Sequence, residues 1–251
     1  MGKAMIANEA GVAEEVKFKT SEECLLKLVA HTMMVDYDDP DLPAKQSAAW
    51  LPVSAARASF GKEDRTGNDR GADTKLMFFL SREGHTSVFE HQSATFLIEC
   101  PLFIRSQIMR HRTFSYNEIS RRYTSEQIAF WQPTTYRKQA TKNTQCSDGE
   151  FEPAVVGHYY DLGVIDAFDQ YNNLLKEGVC REQARAVLPQ SLLTRFYMTG
   201  NLRNWAHFLK LRLDSHAQPE VQIIAQRIEA ELRKLWPLPM DALMETTNAI
   251  D

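Results

Sequence analysis

Cysteine is scarce: Cys24, Cys100, Cys146 and Cys180 are the only four in 251 residues. They are widely spaced and form no C-x-x-C pair, which argues against a zinc ribbon and for free thiols in a reducing compartment. Long hydrophobic runs are missing too. Nothing approaches the roughly 18 consecutive apolar residues of a membrane-spanning helix. Met1 to Val16 carries three glutamates and no apolar run, so no secretory leader is expected. These absences lead to the expectation of a cytoplasmic protein without membrane association, with residues 1–15 a flexible N-terminus. The phosphate-binding signatures G-x-x-x-x-G-K-[ST] and G-x-G-x-x-G are absent, as is the G-x-S-x-G nucleophile elbow. No H-x-x-x-H or H-E-x-x-H spacing is present, so no metal site is expected. There is no repeat of fixed period. The charge has no large excess of one sign: net −4, which gives no global pull toward nucleic acid.

What is present suits a soluble globule. Hydrophobic residues make up 43% and charged residues 25%, enough for a sizeable core. Helical periodicity predicts a helix running through Leu76–Leu80 toward Gly84. A second holds Val156, Tyr159, Tyr160, Phe168, Tyr171, Leu174 and Leu175 before Gly178. A third holds Leu202, Trp205, Leu209 and Leu213, with Asn201 as its N-cap. Val221, Ile224, Ala225, Ile228, Leu232 and Leu235 give a clean stripe closed by Pro237. Strand alternation predicts His91 to Cys100, with Ala94, Phe96, Ile98 and Cys100 on one face. Pro101 then breaks the ladder and opens a helix. Leu192 to Met198 is a weaker strand signal. Two polar stretches, Gly61 to Thr74 and Arg137 to Gly149, read as loops. Strands are few and do not alternate regularly with helices. That predicts an α+β fold, with residues 16–251 as one domain.

The chemistry concentrates between Arg105 and Arg122. Arginines 105, 110, 112, 121 and 122 lie there with His111, against a single acid, Glu118. Guanidinium forks match phosphate oxygens two bonds at a time. Arg110, His111 and Arg112 are consecutive, so they point in different directions around a helix, unlike a solvated basic stripe. Ser115, Tyr116, Asn117, Ser120 and Tyr123 add neutral donors. A second basic pair, Arg181 and Arg185, falls four apart on one predicted helical face, where Glu182 could simply neutralise Arg185. A third group holds Asn201, Arg203, His207, Arg212, Asp214 and His216. No cysteine lies among the arginines, so no activated thiol is supported there. Residue chemistry alone thus predicts sites for anionic small molecules. Two other readings stay open: a single-stranded nucleic-acid groove with Phe114, Tyr116 and Tyr123 stacking, and a metal-dependent nucleotide hydrolase using histidines with Glu90 and Glu118.

Arg110-His111-Arg112, a gap of seven residues and Ser120 resemble the signature of the flavin-dependent thymidylate synthases. Further blocks follow in order across roughly 55–235: Ala56–Phe60, Gly84–His91, Asn117–Tyr123, Arg185–Pro189, Thr194–Phe196 and Leu211–Ala217. The resemblance implies an α+β fold with a central, largely antiparallel sheet flanked by helices. It implies a homotetramer whose active sites draw on more than one subunit. It implies reductive methylation of dUMP to dTMP, with methylenetetrahydrofolate as carbon donor and NADPH-reduced FAD as hydride source. By the same resemblance FAD contacts fall to Ser87 (with His85 nearby), Arg110, His111, Arg112, Glu118, Asn201, Arg203 and His207. The dUMP contacts fall to Gln107, Arg110, Glu118, Ser120, Arg121, Arg122, Arg185 and Arg212. The position of Arg121 is often glycine in the family, so its backbone amide is the expected contact. Arg212 is the expected catalytic residue, facing the pyrimidine and stabilising charge that develops on the ring.

Overall fold

The computed structural model describes residues 16–33, 48–142, 147–151 and 153–245. The expected flexible start at 1–15 and Cys146 lie outside these residues. The architecture is α+β. By internal contacts the chain divides into two units, one of residues 1–25, 98–110 and 117–196, the other of residues 26–97, 111–116 and 197–251.

The main sheet has four strands in the order β2 (Leu26–His31), β3 (Ser93–Pro101), β8 (Leu193–Asn201) and β4 (Ser115–Glu118). Its neighbours run antiparallel. Thr32 N–H donates to the Ser93 carbonyl while Glu99 N–H donates to the Leu25 carbonyl, so numbering rises on one strand as it falls on the next. Thr95 faces Thr199 and Glu99 faces Arg195. Ile119 pairs with Arg195, and Phe114 lies against Gly200. Ala94, Phe96, Ile98 and Cys100 are all buried, as the alternation predicts. Pro101 caps the helix that follows, Leu102–Ile108.

In the first unit, β1 (Phe18–Lys19) pairs parallel with β5 (Phe130–Trp131). The helix Pro153–Lys176 lays Val164, Phe168 and Tyr171 onto Phe130, Leu188 and Leu192. Tyr159, expected on that apolar face, is 71% exposed. Gly178 follows at φ +86°, a backbone conformation that suits glycine as a helix stop. The stretch read as a loop at Arg137 to Gly149 is instead largely a hairpin. Strands β6 (Tyr136–Gln139) and β7 (Ser147–Phe151) pair antiparallel, Tyr136 opposite Phe151. β7 is exposed along its whole length, so no alternation of apolar residues betrays it. Residues 143–146 lie outside the described chain.

In the second unit, helices Leu51–Ala58 and Arg70–Arg82 are joined by an ion pair between Arg57 and the fully buried Asp73. The loop expected at Gly61 to Thr74 is therefore too long. Asp69 caps the second of these helices by accepting from Ala72 N–H, so Arg70–Thr74 is helical. A helix over Leu202–Arg212 buries Leu202, Trp205, Ala206, Phe208 and Leu209. The helix Pro219–Leu235 buries the predicted stripe from Val221 to Leu232. Pro237 ends that stripe and opens a last helix, Pro237–Glu245. Edge-to-face rings hold the centre, Phe96 to Trp205 at 5.1 Å and Phe114 to Trp205 at 4.6 Å. No helix among the described residues is long and apolar enough to cross a membrane.

Candidate active site

The site residues expected from sequence fall into two groups, one in each unit. In the second unit the helix Leu202–Arg212, hereafter αC, carries Arg203, His207 and Arg212. Asn201 caps it, its side-chain oxygen accepting from Asn204 N–H at 2.9 Å. A helix start without such a cap leaves orphan donors, so Asn201 sets where αC begins and which way its side chains face. Arg203 forms an ion pair with Glu90. Glu90 closes the 3₁₀ turn Thr86–Glu90, which holds exposed Ser87. Thus Ser87 and Arg203, far apart in sequence, belong to one neighbourhood.

Opposite αC runs the segment His111–Tyr116, held at three points. Tyr116 Oη donates to the His111 carbonyl at 2.9 Å. Asn204 Nδ2 donates to the Thr113 carbonyl at 3.0 Å. Phe114 packs under Gly200, where an added Cβ would stand 2.3 Å from its Cε1. Gly200 thus permits this close approach. Burial raises the Tyr116 phenol to about 12, so it stays a donor.

These tethers present His111, 7% exposed, to αC. Its ring lies 4.9 Å from Phe208 and 6.0 Å from His207. Arg212 Nε donates to His111 Nε2 at 3.0 Å. Burial, then Arg212, then His207, lowers the His111 pKa from 6.5 to about 4. The imidazole is therefore neutral at physiological pH, with its lone pair on Nε2 and its proton on Nδ1. Burial also lowers Arg212, a group that stays cationic in proteins. Arg112 is exposed, as is His207.

In the first unit, Glu118 at the end of β4 is held from two sides. Arg105 donates to its Oε2 at 3.1 Å and 2.6 Å, and Thr194 Oγ1 donates to its Oε1 at 2.7 Å. Arg105 belongs to the arginine-rich stretch and Thr194 to one of the family-like blocks, but neither is among the expected FAD or dUMP contacts. Their link to Glu118 spans 13 and 76 positions, and no local periodicity signals it. The turn after Glu118 is closed by Ser120, whose Oγ accepts from Arg122 N–H at 3.3 Å. Arg121 is 7% exposed and spends its guanidinium on the carbonyls of Glu126 and Gln127. Its side chain thus turns into the fold. Arg122 and Arg185 converge on Glu182 by different atoms. The Glu182 carboxylate lies 3.5 Å from Arg122, while Arg185 Nε donates to the Glu182 carbonyl at 3.3 Å. Glu182 therefore does not neutralise Arg185 through its carboxylate. The predicted continuous helix over this pair is a short α-helix, Arg181–Ala184, followed by a 3₁₀ turn, Arg185–Val187. Gln107 is part-buried on the helix after β3, and Arg110 is exposed just beyond it.

Among the described residues no group of three His, Cys, Asp or Glu gathers for a metal ion. Glu90 and Glu118, the acids that a metal reading requires, are engaged by Arg203 and by Arg105 with Thr194.

Guanidinium, imidazole and hydroxyl donors of this kind, carried on an α+β scaffold, suit anionic small molecules. Comparison with known proteins narrows the class. The family model described as "Thymidylate synthase complementing protein" matches residues 41–238. A flavin-dependent thymidylate synthase of Thermus thermophilus is 39% identical over 193 residues, covering 77% of this chain and 70% of that one. Another, of Dictyostelium discoideum, is 36% identical over 207 residues, covering 81% and 67%. A solved structure, the UMP/dUMP methylase PolB of Streptomyces cacaoi bound with 5-Br dUMP, matches with TM-score 0.79 and 30% identity over 92% of this chain and 97% of that one. The chain belongs to the flavin-dependent thymidylate synthase family.

Proposed function

We propose that the protein converts dUMP to dTMP, using FAD, NADPH and methylenetetrahydrofolate. The observation that carries this reading is the His111–Arg212 pair, set on tethered backbone in a chain of this family. The relative bound with 5-Br dUMP supports a pyrimidine nucleotide as the substrate.

The donor set suits FAD. Arg112 and Arg203 are exposed guanidinium groups, and Ser87 and His207 are exposed hydrogen-bonding groups. Such donors match a pyrophosphate. Arg110, His111, Arg112, Ser87, Asn201, Arg203, His207 and Glu118 would hold the cofactor. Bound there, FAD would supply the hydride chemistry, with NADPH as its reductant. The remaining work belongs to the chain. Ser120, Arg122 and Arg185, with Gln107, Arg110, Glu118 and the Arg121 amide, bind and orient dUMP. Arg105 and Thr194 fix the Glu118 carboxylate. Arg212 faces the pyrimidine and stabilises negative charge as the ring becomes nucleophilic, a preorganised electrostatic role. We propose a cytoplasmic homotetramer whose active sites draw on more than one subunit.

The test is formation of dTMP from dUMP by purified protein supplied with FAD, NADPH and methylenetetrahydrofolate, with UMP assayed in parallel. Product that requires all three supports the reading. Protein that binds no flavin, or methylates neither nucleotide, overturns it.

A further inference from the structure

We infer that His111 acts through Arg212: its neutral imidazole is the hydrogen-bond acceptor that orients the guanidinium without cancelling its charge. This inference rests on the proposed role of Arg212 at the pyrimidine.

The geometry carries it. The Nε of Arg212 donates to His111 Nε2 at 3.0 Å. Arg212 is the last residue of αC, where the helix gives way to Leu213 at the C-cap. A long side chain at a helix end has many rotamers, and fixing one costs entropy. A fixed acceptor selects among them. A carboxylate would orient the guanidinium more strongly, but it would also neutralise the positive charge that a developing anion needs. A neutral imidazole separates orientation from charge. A protonated imidazole could not serve, because both ring nitrogens would then be donors.

The surroundings keep the ring in that state and place. It is buried among Phe208, Phe114 and His207. Its backbone carbonyl is held by Tyr116, and the segment after it is held by Asn204 and by Phe114 under Gly200. These tethers secure His111 independently of Arg212, so the ring can act as the fixed member of the pair. His111 is thus a positioning residue for Arg212, in addition to any contact with FAD.

The test compares His111→Phe, which keeps a flat ring and removes the acceptor, with His111→Gln, which restores a neutral acceptor near the Nε2 position. Wild type and Arg212→Ala are measured beside them. FAD binding, KM for dUMP, kcat and thermal unfolding are recorded for each. Misplacing a catalytic group by about 1 Å can cost on the order of a hundredfold. His111→Phe should therefore lose about tenfold to a hundredfold in kcat at saturating FAD and dUMP, with His111→Gln recovering most of that loss. In the wild-type enzyme, nitrogen NMR should also show a pyridine-type Nε2 and a pyrrole-type Nδ1 at His111. Equal kcat in His111→Phe and wild type would overturn the inference, as would equal losses in both His111 variants. So would a proton on Nε2. If the wild type itself makes no dTMP, or Arg212→Ala is fully active, the underlying reading fails instead. If His111→Phe does not fold, His111→Gln and the tautomer decide the matter.

Discussion

At residue scale the pair of His111 and Arg212 yields two predictions. Replacing Arg212 by alanine removes the group assigned to stabilise ring charge, and loss of one such donor costs about a hundred- to a thousandfold in rate. Arg212→Ala should therefore lose that much kcat and still bind FAD, because its role is toward the pyrimidine. A near-normal rate would reject the assignment. The second prediction concerns pH. The His111 pKa is depressed from 6.5 to about 4, chiefly by burial and then by Arg212 and His207. Between those values the unfolded chain takes up a proton that the folded chain refuses, so stability falls as pH drops from about 6.5 toward 4 and this contribution then levels off. The full effect is on the order of 3 kcal/mol. Denaturant midpoints measured from pH 7 to 4 should fall less steeply in His111→Gln than in wild type, and identical slopes would contradict the attribution. The arginine motif from Arg110 to Ser120 is legible in sequence because its members are close together. The Arg105–Glu118–Thr194 contact is not, because helix, strand and strand bring it together through space.

At the scale of elements, the stripes on Val221–Leu232 and Leu202–Leu209 were readable because each helix buries a single face. The same logic exposed strand β3, whose alternation matches its burial. It failed at β7, since a strand exposed on both faces carries no alternating pattern, and at β6, whose burial does not alternate along its four residues. It also failed at Arg70–Thr74, where polar composition concealed a capped helix start. αC begins at Asn201, and Asn201→Ala removes the bond to Asn204 N–H. That should cost about 1 kcal/mol, read as a lower unfolding midpoint. No change would mean that the cap is dispensable. Gly200→Ala is expected to be worse. Its Cβ would stand 2.3 Å and 2.4 Å from two atoms of Phe114. That ring is itself packed 4.6 Å from Trp205, so it has little room to give. Overpacking of this kind costs about 1–3 kcal/mol. Because Phe114 tethers the segment that holds His111, Gly200→Ala should lower kcat along with stability. A variant as stable and active as wild type would show that the segment relaxes freely.

For the whole molecule, the α+β class followed from the residue pattern, because buried strands and amphipathic helices both leave periodic marks, while the antiparallel order of the sheet was expected from the family resemblance alone. Partner subunits leave no such mark, and the tetramer proposal draws on the family alone. Light scattering on purified protein should give four times the chain mass of 28.7 kDa, and a monomer at working concentration would reject that proposal. The central claim is that flavin, reductant and nucleotide meet at one site. An anaerobic absorption spectrum of the purified protein with FAD, recorded during NADPH addition with and without dUMP, tests it most directly. The account predicts flavin bands that bleach with NADPH, and faster with dUMP present. Protein that takes up no flavin, or flavin that bleaches at a rate indifferent to dUMP, would contradict it.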